Sequence, residues 1–459
     1  MKRPFLVCLF FPLFVFAQLA DSIYVTPRIA TQPVMSDADD PAIWVHPENP
    51  GASLIVGTDK GVYPEGGLFV WSLEGEQVQH IVISHPNSVD IRQNVSIGSE
   101  KMDLAVVTMR DHAELRVFRI DKESRQLYDI TTEGSIPVLN STYGLALYRR
   151  PADGVLFAFV TSKDNDFWDQ IAQYRLEDDG TGRIKGTLVR TFGDHTTVVE
   201  GMVVDDAKGF LYAAEEEKGV YKYYAEPDKA DTSLALFATE EELTANREGL
   251  AIYTCPDSDE SYLLVSTPAQ KMVRIYALPE EDYSNLFPLL AKLYTSSSKA
   301  GDGIACVSTP VSSLFPAGIF VWHDQRERRF LLFGWEQIAE QCNKLCLGYD
   351  PTTTVDSPDQ SKFIKVPEEM VVSPNYPNPF NNGTRFQIQL AHSHEIRAEI
   401  FDVMGKRVKE IFKGQLDAGI HHFYWQGNDL RGALVPSGFY FLRIKIPSET
   451  HILQMNLVR

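Results

Sequence analysis

A chain of 459 residues with 44% hydrophobic and 11% aromatic side chains holds enough apolar matter for a large core and a smaller second domain. Its formal net charge of -19 argues against a nucleic-acid partner or an anionic membrane surface. An anionic substrate would need cations between it and so acidic a protein.

At the N-terminus, Lys2 and Arg3 precede the apolar run Phe5 to Phe16, and Val15-Phe16-Ala17 is an acceptable cleavage site before Gln18. Residues 1–17 therefore read as an export signal, about a dozen apolar residues being too few to span a bilayer. The mature protein is expected outside the cytoplasm, secreted or attached to the cell surface. Cys8 leaves with the signal. Cys255, Cys306, Cys342 and Cys346 remain and permit disulfides in three pairings. Zinc at Cys342 and Cys346 lacks a second ligand pair.

Six times thereafter an acid or tyrosine opens a hydrophobic strand: Asp40 (DPAIWVHP), Asp90 (DIRQ), Tyr143 (YGLALY), Glu200 (EGMVVDD), Glu248 (EGLAIY) and Asp302 (DGIACV). A second strand follows each, running into a polar turn at Lys60, Arg110, Lys163, Glu216, Gln270 and Asp324. A third is alternating and aromatic, as in GLFVWSL and GVYKYY. A period of roughly 50 residues in an all-β pattern predicts a six-bladed β-propeller, here over residues 23–347. Residues 348–366, polar and without periodicity, read as a linker. From 367 to 459, short alternating strands such as RFQIQL and GFYFLRIKI lie between turn signals and predict a small Ig-like β-sandwich.

In a propeller, equivalent positions form rings. Asp37, Asp39, Asp40, Asp90, Glu200, Glu215, Glu216, Glu248 and Asp302 fall mostly at strand starts or turns in phase with the repeat. Two such carboxylates about 4 Å apart repel by about 4 kcal/mol at an effective dielectric near 20, so a converging set must protonate or bind cations. Hard oxygen donors without histidine favour calcium over zinc or copper. Lys60, Arg110 and Lys163 share one turn in the first three blades, each twenty residues after Asp40, Asp90 and Tyr143. Such an arc beside cation-filled carboxylates suits a phosphate group. Phosphoester hydrolysis then needs a water activated by metal and no covalent nucleophile; neither GxSxG nor HExxH is present.

The stretches DADDPAIWVHP, GTDK, GLFVWSLEG, NSVDIR, TYGLALY, VEGMVVDDAKGFLYAAEEEKGVYKYYAEP, REGLAIY and FPAGIFVWHD, in this order, resemble the β-propeller (alkaline) phytases. These are calcium-dependent six-bladed enzymes that remove phosphates from phytate, myo-inositol hexakisphosphate. The resemblance implies a metal set of Asp39, Asp40, Asp90, Glu200, Glu215, Glu216, Asn246, Glu248 and Asp302, binding several calcium ions. Among these, Asp39, Asp90, Glu200, Glu216 and Glu248 would serve catalysis, and Lys60, Arg110, Tyr143 and Lys163 would bind phosphate. The chain departs from the family pattern at Asn246, where an acid is usual, and at Pro268, where SSQG reads STPA. It departs again at Ala300 and Ala305, where SDTDGID reads KAGDGIA.

In the tail, NYPNPFN, IFDVMGKRV, LDAGIHHFYW and VPSGFYFLRI resemble the C-terminal sorting domain of type IX secretion substrates, without its lysine-rich last strand. That likeness implies engagement of the outer-membrane secretion machinery. The expected protein is a monomeric, exported, calcium-dependent phosphomonoesterase acting on phytate or a related polyphosphorylated small molecule. The alternative is a propeller that binds such molecules with weakened or no turnover; a calcium-dependent lactonase-type propeller would leave the cation arc without a purpose.

Overall fold

The computed structural model describes residues 20–348 and 370–459, apart from 134, 168, 240–245, 280–285, 296–299, 373–374, 376–377, 382, 391–392, 417–418 and 447–449. The export signal read at 1–17 and nearly all of the 348–366 linker lie outside the described residues. The chain divides into two compact units, residues 1–352 and 353–459.

In the first unit each cassette folds into one antiparallel sheet. Turn residues separate its short apolar runs, and consecutive strands pair. The first blade is Ala38–Trp44, Leu54–Asp59, Gly67–Ser72 and Gln77–Val82, in order outward from the axis. The next three blades open with Pro86–Ile97, Thr142–Arg149 and Val199–Asp205, the fifth with Leu250–Thr254 and the sixth with Ala300–Val307. Each blade thus gains an outer fourth strand beyond the three read from sequence. These outer strands, such as Gln77–Val82, are half-exposed and lack a strong apolar pattern.

The sixth blade takes its fourth strand from the other end of the chain. Ile29–Ala30 pairs antiparallel with Arg329–Gly334, while Asp21–Val25 adds in parallel to the fifth blade at Leu289–Thr295. The N-terminal segment therefore closes the ring. Six apolar clusters fill the gaps between neighbouring blades; one packs Trp44, Val56 and Val70 against Val89, Val107 and Phe118. Each fully buried side chain of this kind contributes roughly 1.5–3 kcal/mol.

The inner strands approach so closely that four glycines have no room for a side chain. A Cβ on Gly144 would stand 2.2 Å from the Glu200 carbonyl oxygen, and one on Gly201 would stand 1.5 Å from that of Glu248. Gly249 meets the Asp302 carbonyl at 2.4 Å and Gly303 that of Asp39 at 2.2 Å. Each glycine follows a residue of the acid ring, so adjacent ring residues are locked backbone to backbone. A register irregularity lies just there in five inner strands, between Ala38 and Pro41, Pro86 and Val89, Thr142 and Leu145, Val199 and Met202, and Ala300 and Ile304. Bulges of this kind re-aim side chains, here toward the axis.

Of the three possible disulfide pairings the structure selects Cys255–Cys346, leaving Cys306 and Cys342 as thiols. It ties the end of the fifth inner strand to the segment after the sixth blade, across 91 residues of sequence. The same patch is packed by Trp335 stacked on Tyr253, ring centroids 3.7 Å apart.

The second unit is a two-sheet sandwich. Met370–Val372, Thr384–Leu390 and Gly419–Trp425 form one sheet; Arg407–Leu416, His394–Asp402, Gly438–Lys445 and Thr450–Leu457 form the other. Alternation puts Phe386, Ile388, Ile396, Ile400, Leu442 and Met455 into one core.

Two outcomes follow from this packing. Gly201→Ala should cost about 3 kcal/mol or more through overpacking, read as a lowered denaturant midpoint; an unchanged midpoint would contradict the backbone lock. Reducing Cys255–Cys346 should lower the melting temperature, since cross-linking a loop of this length is worth on the order of 4–5 kcal/mol in the chain-entropy account.

Candidate active site at the channel mouth

Strand registers define two stacked rings at one end of the channel. The positions in phase on the inner strands are Asp39, Asn87, Tyr143, Glu200, Glu248 and Asp302. Those just past the ends of the second strands are Lys60, Arg110, Lys163, Glu216, Pro268 and Gln325. The cation arc is therefore real in space, with Glu216 as its acidic continuation. The acid ring differs from the sequence reading at two places: Asp39 occupies the position given to Asp40, and Asn87 that given to Asp90. The bulges shift the strand starts away from where hydrophobicity alone puts them.

Around the mouth the partners interlock. Lys60 Nζ lies 2.7 Å from Asp39 Oδ1. Asn87 donates to Glu200 Oε1 at 3.1 Å, and Glu200 also bonds with the Tyr143 hydroxyl. Lys163 Nζ donates to that hydroxyl at 3.2 Å, and both Lys163 and Arg110 lie over the Tyr143 ring, at 4.6 and 5.5 Å from its centroid. Glu248 shares a hydrogen bond with Asp302 and accepts another from Asn246 Nδ2 at 2.8 Å. Asp39, Asp40, Glu200, Glu248 and Asp302 line a narrow axial space of about 30 Å³.

Below it opens a chamber of about 380 Å³, reached past Leu145, Met202 and Leu250. Asp90 belongs there. Its carboxylate accepts from Arg92 Nη1 at 2.9 and 3.0 Å and from the Leu147 amide at 2.8 Å, and Arg92 Nε bonds Asp206 at 3.0 Å. This triad ties the second, third and fourth blades together. Asp40 bridges the two levels, accepting the Val89 amide at 3.1 Å.

Glu215 also sits apart from the mouth. Its Oε1 accepts the amides and hydroxyls of Thr196 and Thr197, at 2.8–3.1 Å. Asp59, the in-phase residue of the first blade, does the same for the amides of Met35, Ser36, Asp37 and Gly61. Both are loop-holding carboxylates. Burial would raise the Glu215 carboxyl, but the threonine donors and Tyr221 bring it below its usual value.

The ring acids behave in the opposite way. Burial first, then the nearby carboxylates, push Asp39 up to about 6 against the pull of Lys60, Glu200 to about 7 and Asp302 to about 8. Burial and Glu200 raise Glu216 to about 7, and Asp40 and Glu248 are raised too. The Tyr143 phenol, buried beside Glu200, is raised and stays protonated, while burial near Lys60 holds His323 down at about 3 and therefore neutral. Crowded oxygen donors short of positive charge fit a hard divalent cation such as calcium. Among the described residues no three acidic, histidine or cysteine side chains are yet drawn into a cation-holding geometry; their partners are Lys60, Tyr143, Asn87 and Asn246.

A propeller mouth that sets a Lys/Arg arc against carboxylates is laid out for phosphate held beside cations. The Phytase family profile matches residues 14–355, and the chain belongs to that family. A relative from Bacillus subtilis (strain 168), a 3-phytase, is 32% identical over 342 residues, 70% of this chain and 86% of that protein. Residues 374–448 match the FlgD Ig-like domain. Among solved structures, PorZ, a surface component of the type IX secretion system of Porphyromonas gingivalis, is 14% identical with a TM-score of 0.37, covering 93% of this chain and 53% of its own. A chain of the mitotic checkpoint complex is 9% identical with a TM-score of 0.40, covering 72% and 98%.

A carboxyl whose folded pKa exceeds its unfolded value holds its proton better when folded, so its stabilising contribution is complete at low pH and lost as pH rises through the folded value. The cation-free protein should therefore lose stability from the ordinary carboxylate range near 3.8–4.5 up to about pH 8. Saturating calcium should flatten that slope. Thermal melts at several pH values, with chelator and with calcium, would show it; a chelated protein indifferent to pH in this window contradicts the crowded ring.

Proposed function

We propose that the chain is an exported, calcium-dependent phosphomonoesterase that hydrolyses phytate or a related polyphosphorylated small molecule. One observation carries the reading: Lys60, Arg110 and Lys163 stand over the same mouth as Asp39, Glu200, Glu216, Glu248 and Asp302. Arginine offers a planar fork and the lysines point charges, so the arc holds a phosphate by its peripheral oxygens. The Tyr143 hydroxyl, which accepts from Lys163 and is kept protonated, donates to the phosphate or to Glu200. Calcium among the ring carboxylates would neutralise phosphoryl charge and make a water more acidic. The water oxygen bonds to phosphorus as the ester P–O bond breaks; a ring carboxylate takes the water's proton, and a ring carboxyl returns one to the departing oxygen, which leaves as the alcohol. With several phosphates on one scaffold, the arc grips one while a neighbour is cleaved.

Asp39, Glu200, Glu216, Glu248 and Asp302 are the metal and water ligands in this reading, with Asp40 beneath them and Asn246 orienting Glu248. Asp90 acts at a remove, through Arg92, and Glu215 shapes the Thr196–Thr197 loop. A binding-only propeller is the second reading. It draws on Pro268, which stands in phase with Glu216 at the start of a 3₁₀ turn and offers no side-chain ligand, and on the uncharged Asn246. The tail resembling a type IX sorting domain would bring the folded enzyme to the outer-membrane secretion machinery.

Phosphate release from phytate, with calcium and with chelator, tests the enzyme. Arg110→Ala and Glu200→Gln should each lower turnover by roughly 10²–10³-fold, as expected when a preorganised charge facing the reacting phosphate is removed. No release from folded protein under any divalent cation, with phytate bound and unchanged, would leave the second reading standing.

A further inference from the structure

Two residues before the cation arc, the in-phase side chains are Thr58, Thr108, Thr161, Ala214, Ser266 and His323. The four hydroxyls share one task. Each accepts an inner-strand amide of its own blade: Asp40 on Thr58 at 3.1 Å, Ser88 on Thr108 at 2.9 Å, Gly144 on Thr161 at 3.0 Å and Gly249 on Ser266 at 2.7 Å. Each donates to a carbonyl of the next blade, Ser266 to that of Asp302 at 2.5 Å. They pin the backbone on which the acid ring stands.

In the sixth blade an imidazole takes this place. His323 is 1% exposed, and its Nδ1 accepts the amide N–H of Asp302 itself at 3.2 Å. A ring nitrogen that accepts is unprotonated, so the neutral imidazole carries its proton on Nε2. Space for the ring comes from Gly301: a Cβ there would stand 2.3 Å from Nδ1 and 2.8 Å from Cε1. The Gly301 carbonyl is in turn held by Trp322 Nε1 at 3.1 Å. Three bonds thus fix the peptide groups flanking Asp302, and one of them is the histidine's.

We propose that His323 is a positioning residue for Asp302, with Gly301 as its obligatory partner: the imidazole accepts an inner-strand amide as the threonine and serine hydroxyls do elsewhere, here that of the ring residue itself and with no partner for Nε2 among the described residues, and sets the direction in which the Asp302 carboxylate enters the mouth. The inference rests on reading Asp302 as a cation and water ligand. It adds that this carboxylate is directed by a histidine that touches neither substrate nor cation.

The test uses the full chain with His323→Leu, which cannot accept; His323→Ser, which restores the hydroxyl of Ser266; Gly301→Ala; and Gly301→Ala with His323→Ser. Calcium chloride titrated by calorimetry should bind about tenfold more weakly to the leucine variant, as when the hydrogen-bond partner that orients a cation ligand is lost, and the serine variant should lose less. Exchange of the Asp302 amide should quicken in the leucine variant. Its kcat on phytate should fall with little change in KM, because the phosphate arc is untouched. Gly301→Ala should be damaging in the wild-type background and tolerated in the double variant, where the smaller serine side chain leaves room for the added methyl. A general loss of fold would not produce such a coupling. Wild-type calcium affinity and amide protection in the leucine variant, or equal damage by Gly301→Ala in both backgrounds, overturns the proposal. If the wild-type chain binds no calcium, the reading of the mouth falls, while amide exchange and the Gly301 coupling still decide the role of His323.

Discussion

Neighbouring inner strands come so near one another at the mouth that a carbonyl oxygen occupies the place of a missing side chain. At Gly144, Gly201, Gly249 and Gly303 the next blade's ring residue is pressed against bare backbone. That approach gathers carboxylates that would otherwise spread apart in water. Their mutual repulsion is imposed by the main chain, which is itself held by the apolar clusters between blades. The raised pKa values of Asp39, Glu200 and Asp302 are the electrostatic imprint of this squeeze. Closure of the ring by the N-terminal segment keeps it from relaxing.

Polar groups at the mouth divide into those that face the channel and those that hold the floor. Asp59 and Glu215, buried and held by loop amides, shape the loops; Thr58, Thr108, Thr161 and Ser266 stitch blade to blade. Asp90, Arg92 and Asp206 tie three blades together deeper in the channel. The carboxylate ring crowds negative charge despite bonds from Lys60, Tyr143, Asn87 and Asn246, and beside it stands the arc of Lys60, Arg110 and Lys163. A site with both demands suits a ligand that is anionic at its phosphates and bridged by cations.

Much of this is legible in the chain. The repeat of roughly fifty residues yields six blades because each cassette carries the three inner strands of one sheet with their own apolar pattern. The equal spacing of Lys60, Arg110 and Lys163 reveals their common turn, since second strands of equal length end at equal heights. The fourth strands leave little mark in the sequence because an outer edge strand faces solvent and needs no apolar run. Hydrophobicity alone misplaces the acid ring by one residue at Asp40 and by three at Asp90, because a β-bulge adds residues without leaving a compositional mark. Asn87, a ring member, carries no charge to draw attention, although its place after Pro86 at the start of an inner strand is a usable signal. His323 looks like any histidine in an apolar strand.

The sequence by itself determined the class of fold, the division into a propeller and a sandwich, and the residue types available for chemistry, because these follow from periodicity and composition. It left three disulfide pairings open, and only packing between the fifth blade and the segment after the sixth chose Cys255–Cys346. Tertiary structure alone decided which carboxylates share the mouth and which serve as scaffold. Charge and spacing are local properties of a chain, whereas convergence on an axis depends on bulges, glycine contacts and ring closure acting between residues far apart in sequence.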